Sequence, residues 1–240
     1  MPNATLIREL ERVCRIDTEW PGGPNFGQLL DGLSMLRQTL YANESAFLTA
    51  VDLHLSRVGD SVTLDALQQI LNDAGSEWRI GEIGPGYGLV KRIDDTVQHA
   101  AEEVARQGTR PGKLLADAWR HAFSMQRDPS ASYRCSVRAV EAAAGPVLTP
   151  KDPRPSLGKM IMTLRDGLQK WRFTFTIDSA VDPKHVLLQM MQLLWTNEYS
   201  RHVDADPSAP LHVSQEEAES AVVLALTLVN WFTSGAVASV

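Results

Sequence analysis

Cysteine is scarce in this chain. Cys14 and Cys135 are the two present among 240 residues, far apart and without a CxxC spacing. That excludes a disulfide framework and a cysteine zinc module, and it predicts two reduced, mostly buried thiols in a reducing compartment. Long apolar runs are lacking too. Ala221 to Phe232 is the longest near the end, and it is short for a bilayer and interrupted by Asn230. A buried helix is expected there, and no membrane partner. Near the start, Arg8, Glu9, Glu11 and Arg12 break any leader-like apolar core, so a cytoplasmic protein is expected. The six histidines form no HxxxH or HExxH pair, and neither a GxSxG elbow nor a Walker A sequence occurs. No metal and no cofactor are expected.

What is present is an ordinary globular composition, 44% hydrophobic and 22% charged, which argues against wholesale disorder. The net charge of −6 is unevenly spread. Residues 108–172 hold 12 Lys and Arg against 5 Asp and Glu, whereas residues 1–107 hold 9 against 16 and residues 182–240 hold 2 against 7. A basic middle between acidic ends suits an anionic partner such as RNA. It equally suits a basic element neutralised by acidic ones within one fold.

Apolar spacing predicts a mainly α protein. Helices are expected over about 4–15, 27–41, 45–57 and 64–74, the last capped by Thr63 and stopped by Gly75. Glu77–Ile83 and Leu89–Ile93 read as a β-hairpin around Gly84-Pro85-Gly86-Tyr87-Gly88. Strand–glycines–strand is the wrong order for a phosphate cradle, which needs a helix after the glycines. Further helices are expected over about 95–107, 113–126, 130–144 and 156–168, with Pro146 opening a stiff proline loop. Two strongly apolar helices close the chain, 183–199 opened by Asp182-Pro183 and 215–233 opened by the capping box Ser214/Glu217. Being apolar on most sides, they are expected at the centre of a bundle and make self-association plausible. The expected organisation is a small helical unit over 1–75, a hairpin linker over 76–93 and a helical bundle over 94–240.

One polar cluster follows the first of those apolar helices: Asn197-Glu198-Tyr199-Ser200-Arg201-His202. An imidazole can move a proton near neutral pH and a guanidinium can hold a phosphate with two parallel hydrogen bonds. Attack of an RNA 2′-OH on its own phosphate needs both kinds of group. Polar residues at a helix end also simply complement its dipole.

The order of features from about residue 68 onward resembles AbiJ-type abortive-infection proteins. The resemblance is carried by Arg79-Ile80-Gly81-Glu82-Ile83 leading to Lys91-Arg92-Ile93-Asp94, and by Leu115-Ala116-Asp117-Ala118-Trp119. It continues through Arg138-Ala139-Val140-Glu141-Ala142, the stretch Thr196 to Val203, and Ser214-Gln215-Glu216-Glu217-Ala218. It implies a HEPN-like helical bundle acting as a homodimer in antiphage defence, in the manner of a metal-independent endoribonuclease. In that reading His202 is the acid/base, Arg201 steadies phosphate charge, and Asn197 and Tyr199 orient RNA. Glu141 and Arg138 reach the substrate from an earlier helix. The family's motif arginine is replaced here by Thr196 and its glycine by Val203. These departures imply the alternative, a non-catalytic module that dimerises and binds RNA or a protein.

Overall fold

The computed structural model describes residues 4–22, 26–57, 60–83, 86–175, 182–196 and 213–240. Ten helices and four short strands occur among them, so the chain is mainly helical, as its periodicity requires. It divides into two compact units, Met1–Arg92 and Ile93–Val240.

The first unit holds α1 (Ala4–Cys14), α2 (Phe26–Tyr41), α3 (Glu44–Leu55), α4 (Ser61–Asp73), β1 (Trp78–Ile83) and β2 (Gly86–Lys91). Asn43 caps α3 by accepting the Ala46 N–H at 3.0 Å. Asp60, rather than Thr63, caps α4, accepting the Thr63 N–H at 2.8 Å. A carboxylate three residues before that N–H is the better acceptor, so α4 starts earlier than expected. Gly75 sits at φ 60 just beyond α4, the left-handed position glycine fills without penalty.

The hairpin is antiparallel, from Trp78 opposite Lys91 to Ile83 opposite Gly86. Gly86, Tyr87 and Gly88, expected in the turn, belong to β2. A side chain at Gly88 would meet Ile83 at 2.5 Å and Asp52 at 2.7 Å, so glycine is required by close approach. Buried Asp52 of α3 accepts the Leu89 N–H at 2.8 Å. One outward donor of β2 is thereby satisfied by a helix instead of a further strand. The hairpin packs on α3 and α4 and is part of the first unit.

The second unit holds α5 (Asp95–Arg106), α6 (Arg110–Phe123), α7 (Pro129–Leu148), α8 (Leu157–Arg165), β3 (Trp171–Phe173), α9 (Pro183–Thr196), α10 (Gln215–Thr233) and β4 (Val237–Ser239). The Ser214/Glu217 box caps α10 as expected, and Asp94 and Ser156 cap α5 and α8. Strand β3 pairs antiparallel with β4. Strands this short leave no alternation to read.

The centre of this unit is α7, packed against α6, α10 and α8. It buries 11 of its 20 residues, most of them Ala, Ser or Gly. Small side chains let helix backbones approach closely, and buried Ser132 donates to the Ala118 carbonyl at 2.8 Å across the α6–α7 contact. Helix α10 shares the core, but α9 does not fill the central place expected of it. It buries Leu187, Leu188, Met191 and Leu194 and leaves Leu193 56% exposed. Pro146, expected in a loop, lies in the last turn of α7, so the helix runs on past it with one backbone donor fewer. Both cysteines are half-buried rather than mostly buried.

Candidate nucleic-acid interface

Helices α6 and α7 form a hairpin joined through residues 124–128. Thr109 caps α6 by accepting the Gly112 N–H at 3.2 Å. Asp128 caps α7 by accepting the Ala131 N–H at 2.8 Å, while its own N–H reaches the His121 carbonyl at 2.9 Å. With their inner faces buried in the core, the outer faces are left to charge. On α6 these are Arg110, Lys113, Asp117 and Arg120, all exposed, and half-buried His121. On α7 they are Arg134 and Arg138, both exposed.

The charges differ in how far they are committed. Arg120 contacts Asp117 at 3.3 Å and His121 Nε2 at 3.4 Å. Lys159 pairs with Asp152 at 2.8 Å and Arg165 with Asp166 at 3.5 Å. Part of the basic middle is thus neutralised locally. Arg134 and Arg138, by contrast, form no ion pair or hydrogen bond with the described residues.

Half-buried Cys135 reports the field at this surface. Burial pushes its thiol pKa up and Asp117 adds to that; Arg138, Arg134 and Arg120 oppose both without prevailing. The cysteine therefore stays a thiol and is no activated nucleophile. Three guanidiniums nevertheless act on one point of the face.

Two hydrogen bonds tie other helix ends to this hairpin. The Tyr133 hydroxyl donates to the Leu194 carbonyl in the last turn of α9 at 3.0 Å. Gln215, the first residue of α10, donates from Nε2 to the Ala122 carbonyl at the end of α6 at 2.6 Å. The second satisfies a carbonyl that the end of α6 leaves without an internal partner. The end of α9 and the start of α10 both sit where α6 gives way to α7.

Of the residues singled out in the sequence, Asn197, Tyr199, Arg201 and His202 lie outside the described residues. Arg138 stands on the basic face. Glu141 has a use inside the fold: its Oε1 accepts the Leu157 N–H at 2.8 Å, tying α7 to the start of α8. Arg120, His121 and Arg134 were not singled out, although the charge excess over 108–172 contained them. Reading that excess at steps of three and four residues along each helix would have found them. Among the described residues, no group of three or more His, Cys, Asp or Glu side chains is placed to hold a metal ion. No helix among them is long and apolar enough to cross a membrane. No family model, curated protein or solved structure matches the chain.

Proposed function

We propose that the second unit is a HEPN-like helical module that binds RNA through its phosphates along the outer face of the α6–α7 hairpin. The observation that carries this is the pair Arg134 and Arg138, one helical turn apart, exposed and unpaired among the described residues. A guanidinium with free donors matches a phosphate with two parallel hydrogen bonds. Arg110, Lys113 and Arg120 extend the positive surface. The choice of RNA over another polyanion rests on the AbiJ-like order of motifs, as does homodimerisation.

A second reading, cleavage, is favoured by the two tethers. Tyr133 and Gln215 hold the helix ends that flank residues 197–212 at the turn of this same hairpin. That stretch carries Asn197, Tyr199, Arg201 and His202. In this reading His202 takes the proton from the 2′-OH, whose oxygen attacks the adjacent phosphorus; the P–O5′ bond breaks, the departing 5′ oxygen takes a proton from water to leave as a hydroxyl, Arg201 steadies the phosphate, and the strand ends as a 2′,3′-cyclic phosphate without a metal ion. Thr196 in place of the motif arginine favours binding alone.

The decisive measurement is the affinity for a single-stranded RNA oligonucleotide across a salt series. Affinity should fall as salt rises. Arg134→Gln with Arg138→Gln should flatten the log–log slope by about 1.4, two lost phosphate contacts at about 0.7 each. A slope unchanged by the double substitution would sink the proposal. Incubating the same RNA with EDTA decides the second reading. Cyclic-phosphate ends that disappear with His202→Ala would support it, and intact RNA would leave binding alone.

A further inference from the structure

Arg120 of α6 sits between a carboxylate and an imidazole. Its Nη2 lies 3.3 Å from Asp117 Oδ1 and 3.4 Å from His121 Nε2. A guanidinium only donates, so the second contact is a hydrogen bond while Nε2 keeps its lone pair. A proton on Nε2 turns it into two donors of like charge, which an anion between them would reconcile. An imidazole makes that change between about pH 5 and 8.

The position suits a phosphate. His121 is half-buried and Arg120 exposed, so an anion arriving from solvent can reach both. Exposed Arg134 and Arg138 stand on the neighbouring helix, and Arg120, Arg134 and Arg138 all act on Cys135. Helices α5, α7 and α10 pack against α6, and the carboxylates they bring toward its end are committed elsewhere. Asp128 at the start of α7 accepts the Ala131 N–H. Asp94 before α5 accepts the Thr96 and Val97 N–H groups. Glu219 of α10 accepts from Gln215. The same helices carry Asp95 and Glu216, both exposed, and the linker carries exposed Arg127.

We propose that protonated His121 is a further phosphate contact of this face, and that its protonation releases Arg120 to the same phosphate. Neutral His121 competes with the phosphate for the guanidinium; charged His121 adds a second donor. Proton and RNA therefore favour each other by the same factor, and affinity rises as pH falls through the imidazole range. The proposal rests on the reading that this face binds RNA.

The test measures binding of a single-stranded RNA oligonucleotide to the full chain at about pH 8 and about pH 6, at constant ionic strength. Affinity should be about fivefold higher at the lower pH, the part of a tenfold charge-assisted contact that this range captures. His121→Gln keeps a neutral polar side chain and should bind at both pH values as the parent does at the higher one. A second readout needs no variant. The His121 ring signal, assigned by through-bond magnetic resonance, should titrate about one pH unit higher with RNA bound. A pH dependence that survives in His121→Gln, or a His121 titration that RNA leaves in place, would overturn the inference. If the salt slope still responds to Arg134→Gln with Arg138→Gln, that failure leaves the RNA reading standing. Absence of binding at either pH would bring down both.

Discussion

Helices α4 and α7 have similar standing in the sequence and opposite standing in the fold. Both carry apolar residues at helical spacing, both follow an aspartate cap, and both lie beside another helix or a strand. Helix α7 buries 11 of 20 residues, whereas α4 buries none of 13. The difference lies in side-chain size more than in hydrophobicity. Ala, Ser and Gly along α7 let three helices approach its backbone, so its surface is used on several sides. Helix α4 meets the hairpin on one side, where Gln68 accepts the Ile80 N–H at 2.8 Å, and its other side, with Val62, Leu67 and Ile70, stays open. A face rich in small residues announces burial within the fold. A face of large ones left exposed announces something that binds.

The contrast can be broken most directly at Ala139, which is fully buried in α7. Ala139→Leu adds three carbons to a filled site and should cost about 3 kcal/mol in denaturant unfolding. Ile70→Ser on α4 should stay within about 0.5 kcal/mol, as exposed substitutions do. Equal costs at the two sites would mean that α4 is covered within the chain, and the comparison would fail.

The next largest effect belongs to the first unit. Buried Glu11 accepts from the Thr18 hydroxyl and, at 2.7 Å, from Arg8, whose guanidinium also lies over the Trp20 ring. Burial alone would raise the Glu11 pKa. The Thr18 hydroxyl, Arg8 and the Thr18 N–H outweigh it and hold the carboxyl below its ordinary value of 4.5. A group depressed on folding contributes fully above its unfolded pKa and loses that contribution as pH falls through the folded one. Glu11→Gln should cost about 2 kcal/mol at neutral pH, the scale of hydrogen bonds to a charged group. It should also remove part of the first unit's loss of stability below pH 4.5. A variant with the parent's acid profile would exclude Glu11 from it.

Smaller again is Tyr133→Phe, which deletes the tether to the Leu194 carbonyl and should cost about 1 kcal/mol. Hydrogen exchange at the last turn of α9 sharpens the comparison. Faster exchange confined to that turn would show that the tether is local. Faster exchange throughout α7 would show that the central helix depends on it.

Helix existence was legible almost everywhere, because the apolar period and the caps are written in adjacent residues. The Ser214/Glu217 pair caps the helix it was expected to open. What escaped were features that depend on distant partners. The β3–β4 pair joins residues 171–173 to 237–239, and nothing within three residues signals a mate that far along the chain. The centrality of α7 escaped for a related reason. Apolar content pointed to α9 and α10, but close approach is decided by small side chains on both partners. For the candidate site, regional charge was visible, while the uncommitted state of Arg134 and Arg138 was not. Glu141 was expected to reach the substrate, and it is a link between α7 and α8.

The sequence by itself determined a mainly helical chain, the starts of most of its helices and a basic middle between acidic ends. Each of these follows from interactions within a few residues or from simple summation of charge. Tertiary structure alone decided that α7 lies at the centre of the second unit, that Asp52 secures a hairpin edge, that two helix ends are tied to the α6–α7 turn, and that α4 keeps an apolar face open. Those outcomes depend on which surfaces fit together, and fit belongs to pairs of surfaces that no single segment encodes.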